Sequence, residues 1–193
     1  MTRIVLVSGS LRQHSVNGAA LATIRDILDQ RSGEVSTPDL DLAQLPYYVE
    51  DLDVGPGPEA VREARELLIA SDAAIFSTPS YNGSMTGVLK NALDWLSRPW
   101  KASSLTGKPV ALLTASPGKY GGADAQPDTR RVLARCGAEL VDHEPVAIGN
   151  AEFLIGCDGL YTEPSVVAAL EGLVDATLRA VGADHRALVG AAA

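Results

Sequence analysis

Short apolar runs alternate with helically spaced apolar residues along this chain, and that alternation is the strongest constraint on its fold. Ile4-Val5-Leu6-Val7 reads as a buried strand. Val16, Ala20, Ile24, Ile27 and Leu28 then recur at the spacing of one helix face, with Gly33 as a stop signal. Residues 34–40 hold a short second strand, placed at an edge by Pro38. Residues 41–58 read as loop, punctuated by Pro46, Gly55, Pro56, Gly57 and Pro58. A helix follows over 59–71, with Val61, Arg65, Leu68 and Ile69 on or beside one stripe. Residues 73–77 form a buried-type strand, broken by Pro79 to Ser84, and Val88, Leu89, Ala92, Leu93 and Leu96 make the face of the next helix. Pro99 ends it. Residues 109–115 form a strand, 116–122 a glycine-rich loop, and 125–136 a helix with Gly137 as its C′ glycine. A fifth strand over 139–148, bent near Pro145, precedes a closing helix over 164–181 opened by Pro164. Five strands alternating with helices predict a doubly wound α/β fold, a parallel sheet with helices on both faces. Ligands of such folds bind outside the carboxyl ends of the strands, where strand order reverses. One domain spans 1–187, and 188–193 read as a frayed tail.

The bulk properties narrow the function. With 193 residues, 46% of them apolar and 21% charged, the chain suits one soluble globular domain with a full core. Its 16 Lys plus Arg against 24 Asp plus Glu give −8, which argues against a nucleic-acid footprint or an anionic membrane as partner. No apolar run approaches the ~20 residues of a membrane span. Met1-Thr2-Arg3 runs directly into a strand, so no signal peptide is expected. Cys136 and Cys157 fit no Cys-x-x-Cys or zinc spacing and read as reduced thiols of a cytoplasmic protein; no metal site is expected.

Three loops carry the chemistry. The first follows strand one: Ser8-Gly9-Ser10-Leu11-Arg12-Gln13-His14-Ser15-Val16-Asn17 feeds a helix N-terminus with hydroxyl donors and one guanidinium. Backbone N–H groups and the helix dipole favour an anion there. A Walker loop fails, because His14 and Ser15 stand where Gly and Lys are needed, and the Gly-x-Gly-x-x-Gly fingerprint is absent. The loop suits one terminal phosphate monoester; the alternative is a serine-rich loop in which Ser15 only caps the helix. The second loop, Pro79-Ser80-Tyr81-Asn82-Gly83, is uncharged and has one aromatic, which suits a planar ligand read by backbone amides. The third, Ser116-Pro117-Gly118-Lys119-Tyr120-Gly121-Gly122, carries a second aromatic beside a Lys. In a doubly wound sheet these loops lie side by side. A phosphate at one end and a flat heteroaromatic at the other describe flavin mononucleotide.

Gly9-Ser10-Leu11-Arg12-x-x-Ser15-x-Asn17, Pro79-x-Tyr81-Asn82-x-Ser84 and Leu89-Lys90-Asn91-Ala92-Leu93-Asp94-Trp95-x-Ser97-Arg98 together resemble the NADPH-dependent FMN reductase family, closest to its quinone, chromate and azo-dye reductases. The resemblance covers roughly residues 2–181. It implies a flavodoxin-like sheet of five parallel strands in the order 2-1-3-4-5, non-covalent FMN, NADPH or NADH as co-substrate, and a homodimer or homotetramer. It places the FMN phosphate on Ser10, Arg12, Ser15, Val16 and Asn17. It lines the isoalloxazine with Pro79, Ser80, Tyr81, Asn82 and Gly83, and closes Ser116, Pro117 and Gly118 over the ring edge. The Leu89–Arg98 segment is then a structural helix and subunit contact, with Trp95 at the interface and Asp94 an ion-pair partner. Ser80 stands where many members carry Glu, and Thr86 where many carry Pro.

The chemistry so implied belongs to the flavin: hydride passes from nicotinamide to N5 and then to a small acceptor such as a quinone, azo compound, chromate or free flavin. No catalytic acid or base is nominated. Backbone N–H groups of the second loop are expected to stabilise the reduced ring. An electron-carrier flavodoxin or a flavin-binding redox sensor is the alternative, although carriers typically use a Thr-rich phosphate loop. A phospho-receiver would need acidic residues at the end of strand one, where Ser8 and Ser10 stand. Tyr47 and Tyr48 either wall a substrate pocket from a neighbouring subunit or cover the core.

Overall fold

The computed structural model describes residues 1–31, 35–55 and 57–191, with side chains described as far as 182. Gly33, residue 34 of the second strand, Pro56 and the tail residues 192–193 lie outside the described residues.

The sheet is parallel throughout and its class is the one expected. Its strands are β1 (Thr2–Ser8), β2 (Val35–Ser36), β3 (Asp39–Leu40), β4 (Ala73–Thr78), β5 (Pro109–Ala115), β6 (Glu139–Leu140) and β7 (Val146–Ile148). The count differs from five because two of the expected strands are each broken in two. β2 and β3 both pair with β1, and β6 and β7 both pair with β5. Read as five positions, the order is β2/β3, β1, β4, β5, β6/β7, which is the expected 2-1-3-4-5. The breaks fall where proline interrupts the ladder, at Pro38 and before Pro145.

The long strands bury both faces, so alternate residues feed two cores. Ile4, Leu6, Ile75 and Leu113 point into one core with α1 (Val16–Arg31) and α5 (Pro164–Ala191). Val5, Val7, Phe76 and Leu112 point into the other, covered by α2 (Glu59–Ile69), α3 (Gly87–Leu96) and α4 (Gln126–Arg135). Gly137, at φ 93°, takes the left-handed C′ position after α4. α5 continues past the expected Val181 and through residues 188–191, which the sequence assigns to a tail.

One expectation for the third helix is corrected, and the ion pair expected of Asp94 is formed within the chain. Trp95 is fully buried within the subunit and donates its indole N–H to Pro46 O at 2.8 Å. Asp94 pairs with Lys90 one turn earlier at 2.6 Å, on the same helix. Asn91 adds two bonds, donating to Pro46 O at 2.9 Å and accepting from Tyr48 N–H at 2.8 Å. Tyr48 meets the Trp95 ring edge-on at 4.9 Å between centroids. The Asn-x-x-x-Trp spacing, one turn of helix, thus staples the long loop after β3 onto the core. A bidentate Arg65–Asp53 pair at 2.9 and 3.0 Å anchors the loop's far end.

Candidate functional site

β1 ends at Ser8, and the chain crosses to α1 through a loop tied by its own hydroxyls. Ser8 Oγ donates to Ser10 O at 3.0 Å, and Ser10 Oγ accepts the Arg12 N–H at 3.4 Å. His14 turns the chain with φ 52°, and Ser15 caps α1 by accepting the Asn17 N–H at 3.2 Å. The capping reading of Ser15 is therefore present alongside any role toward an anion. Ser10, Arg12, Ser15 and Val16 line one cleft of about 880 Å³ at the start of α1. Asn17 does not join them with its side chain, which is 1% exposed. It donates to Ala115 O at 3.0 Å and accepts from Ala115 N–H at 3.2 Å and Ser77 Oγ–H at 2.9 Å. It clamps the ends of β4 and β5 to α1, directly behind the cleft.

The second loop closes on itself. Tyr81 and Ser84 exchange backbone bonds at 2.9 and 3.3 Å around Asn82 and Gly83, both at positive φ (56° and 80°), the signature of a type I′ turn. One of the amides expected to face a ring, that of Tyr81, is thereby used within the turn, which leaves those of Asn82 and Gly83 outside its pairing. Tyr81 stands out from the turn, 57% exposed. The Ser84 hydroxyl donates to Asp128 and, with Arg131, holds that carboxyl below the usual carboxylate range.

The three loops meet, as the topology requires. Gly9 N–H donates to Ser77 O at 2.7 Å, and Gly9 O accepts from the buried Thr86 hydroxyl at 2.6 Å. Thr86 also caps α3, its Oγ1 accepting the Leu89 N–H at 3.3 Å. A proline could keep the helix start but could not make the bond to Gly9. The third loop presses on the second: a Cβ at Gly122 would lie 3.1 Å from Ser80 N and 3.3 Å from Ser80 Cβ. Within it Ser116 Oγ accepts the Gly118 N–H at 3.1 Å, and Ser116 N–H donates to Ile148 O at 3.0 Å. Pro79, Ser80, Tyr81, Asn82 and Gly83 and Ser116, Pro117 and Gly118 are thus neighbours, but none of them lines the cleft at the start of α1.

The opposite wall of that cleft is a segment that carries no expectation from sequence. After β7 the chain makes a short 3-10 turn, Ala151–Leu154, and a narrow hairpin in which Ile155 bridges to Tyr161. Glu152, Gly156 and Cys157 face the cleft. Tyr161 holds the wall in place: its buried hydroxyl donates to Val16 O at 3.0 Å, and burial pushes that phenol well above its usual range. Gly149, Gly156 and Gly159 were the available signals, but nothing in their spacing distinguishes a site wall from an ordinary turn. Across the mouth Arg12 reaches Glu152 at 3.4 Å.

As a receptor the arrangement has one hydroxyl-rich end with a guanidinium and one end with an exposed aromatic. The residues present fit a phosphate monoester joined to a flat polar ring, as in FMN. Among the described residues no group of three His, Cys, Asp or Glu side chains could hold a metal ion, and no helix is long and apolar enough to cross a membrane.

Comparison with known proteins agrees with this geometry. The sequence model of a family described as NADPH-dependent FMN reductase matches residues 2–153. An NAD(P)H-dependent FMN reductase of Pseudomonas aeruginosa is 38% identical over 157 residues, covering 81% of this chain and 83% of that protein. A 2-hydroxy-1,4-benzoquinone reductase of a Burkholderia species is 36% identical, covering 81% and 84%. The solved structure of FerB, a flavoenzyme NAD(P)H:(acceptor) oxidoreductase of Paracoccus denitrificans, superposes with a TM-score of 0.84 at 30% identity, covering 94% of this chain and 98% of that one.

Proposed function

Because the chain belongs to the NADPH-dependent FMN reductase family, we propose that the cleft at the start of α1 holds the FMN phosphate and that the paired second and third loops hold its ring. The enzyme is an NAD(P)H-dependent oxidoreductase that works through FMN and reduces a small acceptor of the quinone class. FMN, when bound, would supply the redox chemistry, two-electron transfer between a nicotinamide and the acceptor. The chain's own residues bind and orient. Ser10 and Ser15 offer neutral hydroxyls to the phosphate, Arg12 offers the one guanidinium, and the α1 N-terminus adds its dipole. Val16 contributes through its backbone at the first turn, and Asn17 positions that turn through its clamp on β4 and β5. Asn82 and Gly83 present amides, Tyr81 an aromatic face, and Ser116 to Gly118 border the ring edge.

The observation that carries this reading is the convergence of Ser10, Arg12 and Ser15 on one cleft at a helix N-terminus, with the uncharged second loop and the third loop packed beside it. The reading extends to a homodimer or homotetramer, supported by apolar side chains left outside the core, among them Tyr47 at 88% and Phe153 at 86% exposure. Tyr47 and Leu11 border a second groove, of about 690 Å³, beside α3. A cytoplasmic setting accords with two cysteines that are both unpaired. The test is direct. Purified protein should take up FMN at one per chain and oxidise NADPH or NADH when a quinone is present. Protein that ignores added FMN would refute the assignment.

A further inference from the structure

Arg12 and Glu152 come from opposite ends of the chain, 140 positions apart, and meet at the mouth of the cleft at 3.4 Å. Both are about half exposed, so the pair adds little to stability. Its position is the informative part. Arg12 is the guanidinium of the cradle, and such a fork binds a phosphate most strongly in bidentate contact. Glu152 stands on a turn with a fixed seat. Ala151 N–H donates to Ser116 O at 3.2 Å, Asn150 N–H to Gly118 O at 3.2 Å, and Thr162 N–H to Leu154 O at 3.0 Å. The carboxylate is therefore held at the cleft by the third loop rather than carried there by a free segment. The other ionisable side chains lining the cleft are His14, Cys157 and Asp158, and one Asp158 oxygen already accepts the Leu160 N–H at 3.1 Å. Two carboxylates thus oppose one guanidinium at the end meant for a dianion.

We propose that Glu152 sets the affinity for FMN: it competes with the phosphate for Arg12, so that the cofactor stays exchangeable. This rests on the FMN assignment above. An arriving phosphate displaces the carboxylate from the guanidinium, and a departing one is replaced by it. The fraction of enzyme carrying flavin then follows the free FMN concentration rather than being full at all times.

The test compares wild type, Glu152→Gln, Arg12→Ala and the double variant, with FMN and riboflavin binding read by quenching of flavin fluorescence at two ionic strengths. Glu152→Gln should bind FMN roughly threefold to tenfold more tightly and release it correspondingly more slowly. The gain should shrink at high salt, because the pair is open to solvent. Riboflavin, which lacks the phosphate, should bind both proteins equally. In the Arg12→Ala background the gain should be lost. A damaged fold cannot produce tighter binding, so the expected sign separates the inference from misfolding. Equal FMN affinity, an equal gain for riboflavin, or a gain that survives Arg12→Ala would each overturn it. Failure of all four proteins to bind FMN would instead overturn the cofactor assignment, and the inference with it.

Discussion

The Ser15 hydroxyl accepts the Asn17 N–H and caps α1, and this makes position 15 a clean probe of the cleft. Aspartate caps as well as serine does, so Ser15→Asp should keep the helix while setting a negative charge against the phosphate. We expect at least a tenfold loss of FMN affinity, about 1.4 kcal/mol, with the melting temperature of the FMN-free protein nearly unchanged. Full retention of affinity would move the phosphate elsewhere. Thr86 invites the opposite experiment, because its hydroxyl serves two buried partners, Gly9 O and the Leu89 N–H. Thr86→Val removes a cap and strands a buried carbonyl, and should lower unfolding stability by about 2 kcal/mol in urea titrations. Thr86→Ser should restore most of it. The two thiols should also part company. Burial pushes Cys136 up to about 11, so near neutral pH it holds almost no thiolate, whereas Cys157 is exposed in the cleft. A thiol reagent at pH 8 should titrate one cysteine quickly and the second only in denaturant, and FMN should slow the first. Rapid reaction of both thiols in the native protein would contradict the packing around Cys136.

Among the elements, the loops differ in how far they could be read ahead of the structure. The long strands announce themselves because residues buried on both faces must be apolar in unbroken runs, as in Ala73-Ala74-Ile75-Phe76. The loop into α1, which we propose holds the phosphate, is equally legible as a cluster of donors, since they are local to one turn and one helix start. What sequence cannot display is a partner distant along the chain. Asn17 looks like one more phosphate donor until Ala115 and Ser77 arrive to occupy it. Trp95 looks like an interface residue until Pro46 accepts its N–H. The Glu152–Tyr161 wall has no period and no motif, and only the Tyr161 bond to Val16 reveals where it goes. That wall also depends on a close backbone approach: a Cβ at Gly149 would fall 2.0 Å from Lys119 O. Gly149→Ala must therefore push the third loop away from the end of β7. It should lower stability by more than about 2 kcal/mol and weaken flavin binding as well, whereas alanine at the unobstructed Gly87 should do far less to either. Unfolding curves and flavin titrations on the two variants check the contrast.

For the molecule as a whole, a ligand seated where β1, β4 and β5 end bridges elements from both halves of the chain. Its binding should therefore register as global stability. At a hundredfold excess over Kd, FMN should add about 2.7 kcal/mol, which for a domain of this size raises the melting temperature by about 5–10 °C. Riboflavin, without the anchored end, should raise it less at equal concentration, and a calorimetric scan with each distinguishes them. The two flanks of the sheet carry a consequence of another kind. Both outer positions are broken into two- and three-residue pieces, Val35–Ser36 with Asp39–Leu40 on one side and Glu139–Leu140 with Val146–Ile148 on the other. Among the described residues, a row of unsatisfied amides long enough to recruit a foreign strand exists on neither side. The interior of this sheet is almost wholly hydrophobic, and the same prolines that spoil its outermost ladders guard it against growing into an aggregate.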